Sequence, residues 1–129
     1  MSDLIADSLT RIRNAQNAGH ESVDILVNKT VLEILNIMKQ EGYIQNFTPF
    51  KEGFKGCAKV ELKYYKNKPV IRGIDKISTP GRRVYQKCED IKLALNNIGI
   101  NIFSTSSGVL TGKTAKLKNI GGEYICRVW

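Results

Sequence analysis

An α+β protein of two small lobes is the fold class this sequence predicts, and three observations predict it. Helix-period and strand-period hydrophobic patterns alternate along the chain. The length of 129 residues with 42% hydrophobic content suits one domain or two small lobes with packed cores. The polar, proline-ended stretch Lys66-Asn67-Lys68-Pro69 separates an αβαββ order in residues 1–66 from a mostly β region with short helices in residues 70–129.

Each element has a local reason. Ser2 is the expected N-cap of a first helix, with Asp3 placed to favour its positive end. Ile5, Leu9 and Ile12 form its apolar stripe, and Gly19 ends it. Val23, Ile25 and Val27 alternate as a strand. Asn28 caps a second helix whose apolar face is Val31, Leu32, Ile34, Leu35 and Met38, with Gly42 as the stop. Residues 43–50 and 57–65 predict a hairpin whose turn contains Gly53 and Gly56. In its second strand Ala58, Val60, Leu62 and Tyr64 alternate with Lys59, Glu61 and Lys63.

Past the break, residues 70–77 predict a strand, 78–85 a turn, and 90–97 a short helix stopped by Gly99. Ile100 and Ile102 share one face of the next strand. Thr111 or Thr114 is placed to cap a last helix ending near Gly121, and Tyr124, Cys126 and Val128 alternate in a terminal strand.

Charge narrows the function. The formal net charge is +8, favouring polyanionic partners. Residues 1–75 contribute only +2 of it and residues 76–129 the other +6, so the electrostatic footprint lies in the C-terminal part. Cys57, Cys88 and Cys126 are too few and too scattered for a disulfide framework, and with one histidine, His20, they make a zinc site improbable. They read as small apolar residues in a reducing compartment. No run reaches the length of a membrane span, and the N-terminus lacks a signal-peptide pattern, so a soluble intracellular protein with no membrane partner is expected.

Enzymatic readings fail on spacing. Thr111-Gly112-Lys113-Thr114 resembles the end of a phosphate loop, but Ser107 stands where that motif needs glycine. An RNA- or nucleotide-processing enzyme using Lys113 and the nearby hydroxyls would need a base or metal carboxylate cluster, and Glu123 is the lone candidate. His20 has no partner set by spacing. No catalytic residue, metal or cofactor is therefore expected, while Lys113 remains a good phosphate contact.

The informative segment is Phe103-Ser104-Thr105-Ser106-Ser107-Gly108, an apolar run ending in four hydroxyls and a glycine. Hydroxyls both donate and accept. Set on a turn, they suit the wide, shallow minor groove of an RNA helix, and an exposed Gly108 would allow close backbone approach. A plain polar turn is the alternative. Arg82-Arg83 followed by Tyr85 adds guanidinium forks for phosphate and a ring for stacking, or else a solvated turn with a buried Tyr.

Four motifs carry a resemblance along the whole chain: 7–15 (DSLTRIRNA), 41–44 (EGYI), 77–85 (ISTPGRRVY), and 104–111 (STSSGVLT) with the ending 121–129 (GGEYICRVW). In these the chain resembles the bacterial small-subunit ribosomal protein eight family. The resemblance implies a cytoplasmic, non-enzymatic ribosomal RNA binder that holds an irregular helix of the central domain. It carries over Ser104, Thr105, Ser106, Ser107 and Gly108 as contacts, with Tyr85 and Glu123 shaping the same surface. It extends less directly to Thr10, Arg13, Asn14 and Lys55 in the first lobe. It also implies neighbouring small-subunit proteins as partners and, in some members, the protein's own messenger. One departure stands out: Gly112-Lys113-Thr114 follows the Val-Leu-Thr run, where the family usually places an acidic and a basic residue.

Overall fold

The computed structural model describes residues 3–92 and 99–129. Two compact units divide the chain, one ending at Arg72 and the other spanning Gly73–Trp129.

In the first unit, helix α1 (Leu4–Asn17) is capped by Asp3, whose carboxylate accepts the Ala6 N–H at 3.1 Å. Asp3 therefore takes the capping role expected of Ser2. Helix α2 (Lys29–Gln40) is capped as expected by Asn28, which accepts the Val31 N–H at 2.9 Å. Strands β1 (Ser22–Leu26), β2 (Ile44–Glu52) and β3 (Lys55–Leu62) form an antiparallel sheet in the order β1-β3-β2. Leu9 and Ile12 of α1 and Ile34, Leu35 and Met38 of α2 are buried with Ile25, Ala58 and Val60 of the sheet.

Two turns differ from the sequence expectation. The β2–β3 turn is Gly53-Phe54, and Gly56 lies inside β3, opposite Lys51. The Lys66-Asn67 pair is the tip of a small hairpin between β4 (Tyr64–Tyr65) and β5 (Lys68–Pro69).

The second unit is built around its last strand. β10 (Gly122–Val128) pairs with β6 (Ile74–Lys76), β7 (Tyr85–Gln86) and β8 (Ile100–Thr105), and β8 pairs with β9 (Gly108–Thr111). The strand expected over 70–77 is confined to Ile74–Lys76, which pair in register with β10, while Ile77 and Ser78 both donate to the single Ile125 carbonyl. Cys88–Asp90 forms one 3₁₀ turn, and the rest of the helix expected over 90–97 lies largely outside the described residues.

Helix α3 (Gly112–Leu117) is capped by Thr111, which accepts the Thr114 N–H at 3.2 Å, and it ends before Gly121. Phe103 stacks on Tyr124 at 4.6 Å between ring centroids and packs with Ile91 and Ala115 in the core. The alternation expected in β10 breaks at a bulge between Tyr124 and Cys126, so Ile125 and Cys126 are both buried. Burial pushes the Cys126 thiol up to about 12, so it stays protonated and unreactive near neutral pH.

Candidate nucleic-acid interface

Cross-strand partners share a sheet face, and register therefore says which candidates stand together. Tyr85 faces Glu123, Glu123 faces Ser104, and Ser104 faces Val109. This row lies on the face opposite the Tyr124, Phe103 and Leu110 row, which belongs to the core. Residues far apart in sequence are thus brought onto one surface by pairing with β10.

Two consecutive glycines make that pairing possible. A Cβ on Gly122 would stand 2.3 Å from the Ser104 carbonyl oxygen, and one on Gly121 would stand 2.5 Å from that of Gln86. Without side chains at these positions, the start of β10 fits flush between β7 and β8.

The hydroxyl hairpin has a two-residue tip. Thr105 pairs with Gly108, leaving Ser106 and Ser107 as the turn. The Thr105 hydroxyl donates to the Gly108 carbonyl at 2.8 Å and accepts the Ser107 N–H at 3.1 Å. Of the four hydroxyls, Thr105 therefore organises the turn, Ser104 lies on the strand, and Ser106 and Ser107 are exposed. The last two side chains make no hydrogen bond within the described residues. Gly108 is half-buried with φ +101°. A β-branched residue there would strain the backbone as well as block approach.

The turn before Tyr85 is fixed just as firmly. Ser78, fully buried, donates to Glu123 Oε2 at 2.5 Å and accepts the Val84 N–H at 3.2 Å. Arg83 Nη1 meets the same carboxylate oxygen at 3.1 Å. The Ile125 carbonyl at the bulge accepts the Ile77 and Ser78 N–H groups. Glu123 and Arg83 are thus engaged with each other in holding the turn, and Arg82 is exposed beside it. Tyr85 is 70% exposed, which overturns the alternative of a buried tyrosine. Beside it runs an open groove lined by Gln86, Lys87, Cys88 and Asn119.

Lys113 is exposed on α3, a helix of only six residues. Lys116 reaches across to the Ile91 carbonyl at 2.7 Å and braces the core. Sequence reasoning missed Ser78, because a serine in a turn-rich stretch carries no sign of being buried.

In the first unit, Thr10 and Asn14 are exposed on α1, and Arg13 is half-buried and has an interaction partner. Lys55 lines a cleft with Arg11, Asp24, Leu26, Phe50 and Glu52, so Arg11 joins Lys55 there. Arg11 is itself paired with Asp7 at 3.5 Å.

The second unit is thus a basic unit presenting two open hydroxyls and an aromatic ring on a braced sheet. Among the described residues no group of three or more His, Cys, Asp and Glu side chains is placed to hold a metal. No described helix is long and apolar enough to cross a membrane.

The ribosomal protein S8 family model matches residues 3–129. The small ribosomal subunit protein uS8 of Treponema pallidum (strain Nichols) is 50% identical over 130 residues, covering 100% of this chain and 98% of the relative. The protein of the same name from Solibacter usitatus is 50% identical over 129 residues, covering 99% and 98%. That from Mesoplasma florum is 50% identical over 127 residues, covering 98% of each. The chain belongs to the ribosomal protein S8 family, and so is a structural ribosomal protein of the cytoplasm and not an enzyme.

Proposed function

We propose that this protein binds small-subunit ribosomal RNA through the β8–β9 hairpin, holds an irregular helix of the central domain, and thereby helps assemble the platform beside neighbouring ribosomal proteins. The observation that carries this reading is the division of labour at the hairpin. Thr105, Glu123, Arg83 and Ser78 are engaged in bracing the surface, while Ser106 and Ser107 stand open at its tip. Short hydroxyl side chains reach only a shallow surface, and in RNA that surface is the minor groove with its 2′-hydroxyls. Ser104 and Tyr85 flank the contact, and Arg82 and Lys113 supply phosphate contacts that position without reading sequence. The α1 residues Thr10, Arg13 and Asn14, with Lys55, are the proposed contacts of the first unit. Because recognition rests on shape, a segment of the protein's own messenger with the same irregular form would meet the same hairpin.

The test is a titration of the full chain against three probes: the irregular helix, the same helix with its core replaced by regular pairs, and a DNA version. Clear preference for the first is expected. If four to six of the cations in residues 76–129 neutralise phosphates, log affinity falls with log salt at a slope of magnitude about three to five. Equal affinity for all three probes would reduce the hairpin to a connector and the binding to charge.

A further inference from the structure

The first unit carries a second charged feature, unrelated to the hydroxyl hairpin. Residues 1–62 hold seven Lys/Arg and eight Asp/Glu, whereas residues 63–72 hold Lys63, Lys66, Lys68 and Arg72 with no acid at all. The positive balance of this unit is therefore concentrated in ten residues around the β4–β5 hairpin.

That hairpin is anchored on one face and open on the other. Tyr64 donates its hydroxyl to the His20 carbonyl at 2.5 Å, and the Val70 N–H meets the Lys63 carbonyl at 3.0 Å. The opposite face presents Tyr65, 68% exposed, with Lys68 directly across the strands from it. The Lys66 ammonium sits 5.4 Å from the centre of the Tyr65 ring. The two tip residues have positive φ, 52° for Lys66 and 64° for Asn67. Asn tolerates that conformation, but a lysine there is uncommon. The two-residue turn requires this conformation, and its first position carries an ammonium beside an exposed aromatic ring.

We infer that the β4–β5 hairpin is a second RNA contact, in which Tyr65 stacks on an unpaired base while Lys66 and Lys68 hold the flanking phosphates. A ring with adjacent cations is the arrangement that binds single-stranded nucleic acid without base-edge readout. The β8–β9 reading enters only as the class of partner, RNA of the same particle. The two contacts would engage different segments of one RNA, so the hairpin adds affinity on the long molecule and none on a short helix.

The experiment uses the full chain with Tyr65→Ala, Lys66→Asn and Lys68→Gln combined; asparagine suits the positive φ and keeps the turn. Two probes are titrated: full-length small-subunit ribosomal RNA and the short irregular helix. Binding to the full-length RNA should weaken about tenfold or more, in keeping with loss of one stacked base. Its salt slope should fall by about 1.4 to 1.8, for two phosphates released. Affinity for the short helix should stay within about twofold of wild type. Tyr65→Phe alone, which keeps the ring, should behave as wild type on both probes.

Unchanged binding to the full-length RNA would overturn the inference, and so would an equal loss on both probes. A photocrosslinking benzoylphenylalanine at position 65 that labels protein and not RNA in reconstituted subunits would assign the hairpin to a protein neighbour instead. Failure of the β8–β9 reading would show separately, as wild-type protein that does not prefer the irregular helix.

Discussion

The helix caps of the first unit and the braced turn of the second use the same chemistry at very different ranges. Up to Arg72, the ends of the helices are settled locally: Asp3 caps Ala6 and Asn28 caps Val31, each three residues away. The turn before Tyr85 and the core beneath it are held by distant contacts. Ser78 meets Glu123 across 45 residues, Arg83 meets Glu123 across 40, and Tyr124 meets Asn101 across 23. Two pairs of glycines show the same difference. A Cβ on Gly19 or Gly53 would meet nothing within 4 Å, whereas Gly121 and Gly122 sit against the backbone of neighbouring strands. The helices of the first unit are specified by local pattern, and the sheet of the second by close approach to a central terminal strand. The braced surface arises in the second because β10 gathers Tyr85, Glu123 and Ser104 into one row.

The sharpest way to break this contrast is to add one methyl group to each unit. Gly122→Ala drives a Cβ to 2.3 Å from the Ser104 oxygen, and overpacking of this kind should cost about 3 kcal/mol. Gly53→Ala meets open space, and its φ of +64° should cost only about 1 kcal/mol. Urea unfolding of the two variants measures both; equal losses would contradict a second unit built on close approach.

Removing the buried brace comes next. Ser78→Ala leaves the Glu123 carboxylate and the Val84 N–H without their shared partner, a loss of about 2 kcal/mol. Arg83→Gln removes a half-exposed ion pair and should cost at most about 1 kcal/mol. Thermal denaturation of the two variants ranks them, and a larger effect for Arg83 would mean that charge, not the buried hydroxyl, holds the turn.

A smaller effect comes from pH. The Cys126 thiol is raised by burial from 9.0 to about 12, so the folded state holds its proton more tightly than the unfolded state does. Below about pH 9 the thiol is protonated in both states and its contribution is complete. That contribution is lost as pH rises from there towards about 12. Tyr124, also raised by burial, acts in the same direction. Cys126→Ala should therefore show a shallower fall in stability than wild type between pH 9 and 11, and parallel curves would contradict the assignment.

The same contrast explains what was legible in the sequence. The stripes of α1 and α2, the Asn28 cap and the alternation in β3 are local patterns, and the structure reproduces them. The exceptions there are Asp3 in place of Ser2 as cap, a turn at Gly53-Phe54, and a strand expected over 57–65 that ends at Leu62, with Tyr64 and Tyr65 in the separate β4. In the second unit, the hydroxyl segment and the Gly-Gly were visible as residues, but their roles were not. Nothing local shows that Thr105 organises the turn while Ser106 and Ser107 stay open, because the difference depends on where β8 and β9 fall into register. Nor does sequence alone show that Ile125 is an extra residue in β10, since a bulge is decided by the partner strand.

The most direct measurement of the central claim is the affinity of the Ser106→Ala, Ser107→Ala double variant for the irregular RNA helix and for its regularised version. Both side chains are exposed and make no hydrogen bond among the described residues, so the unfolding midpoint should not move. Binding to the irregular helix should weaken by about 1 kcal/mol for each hydroxyl, while the weaker binding to the regular helix stays as it was. Equal losses on both RNAs, or no loss on either, would contradict recognition by the hairpin tip.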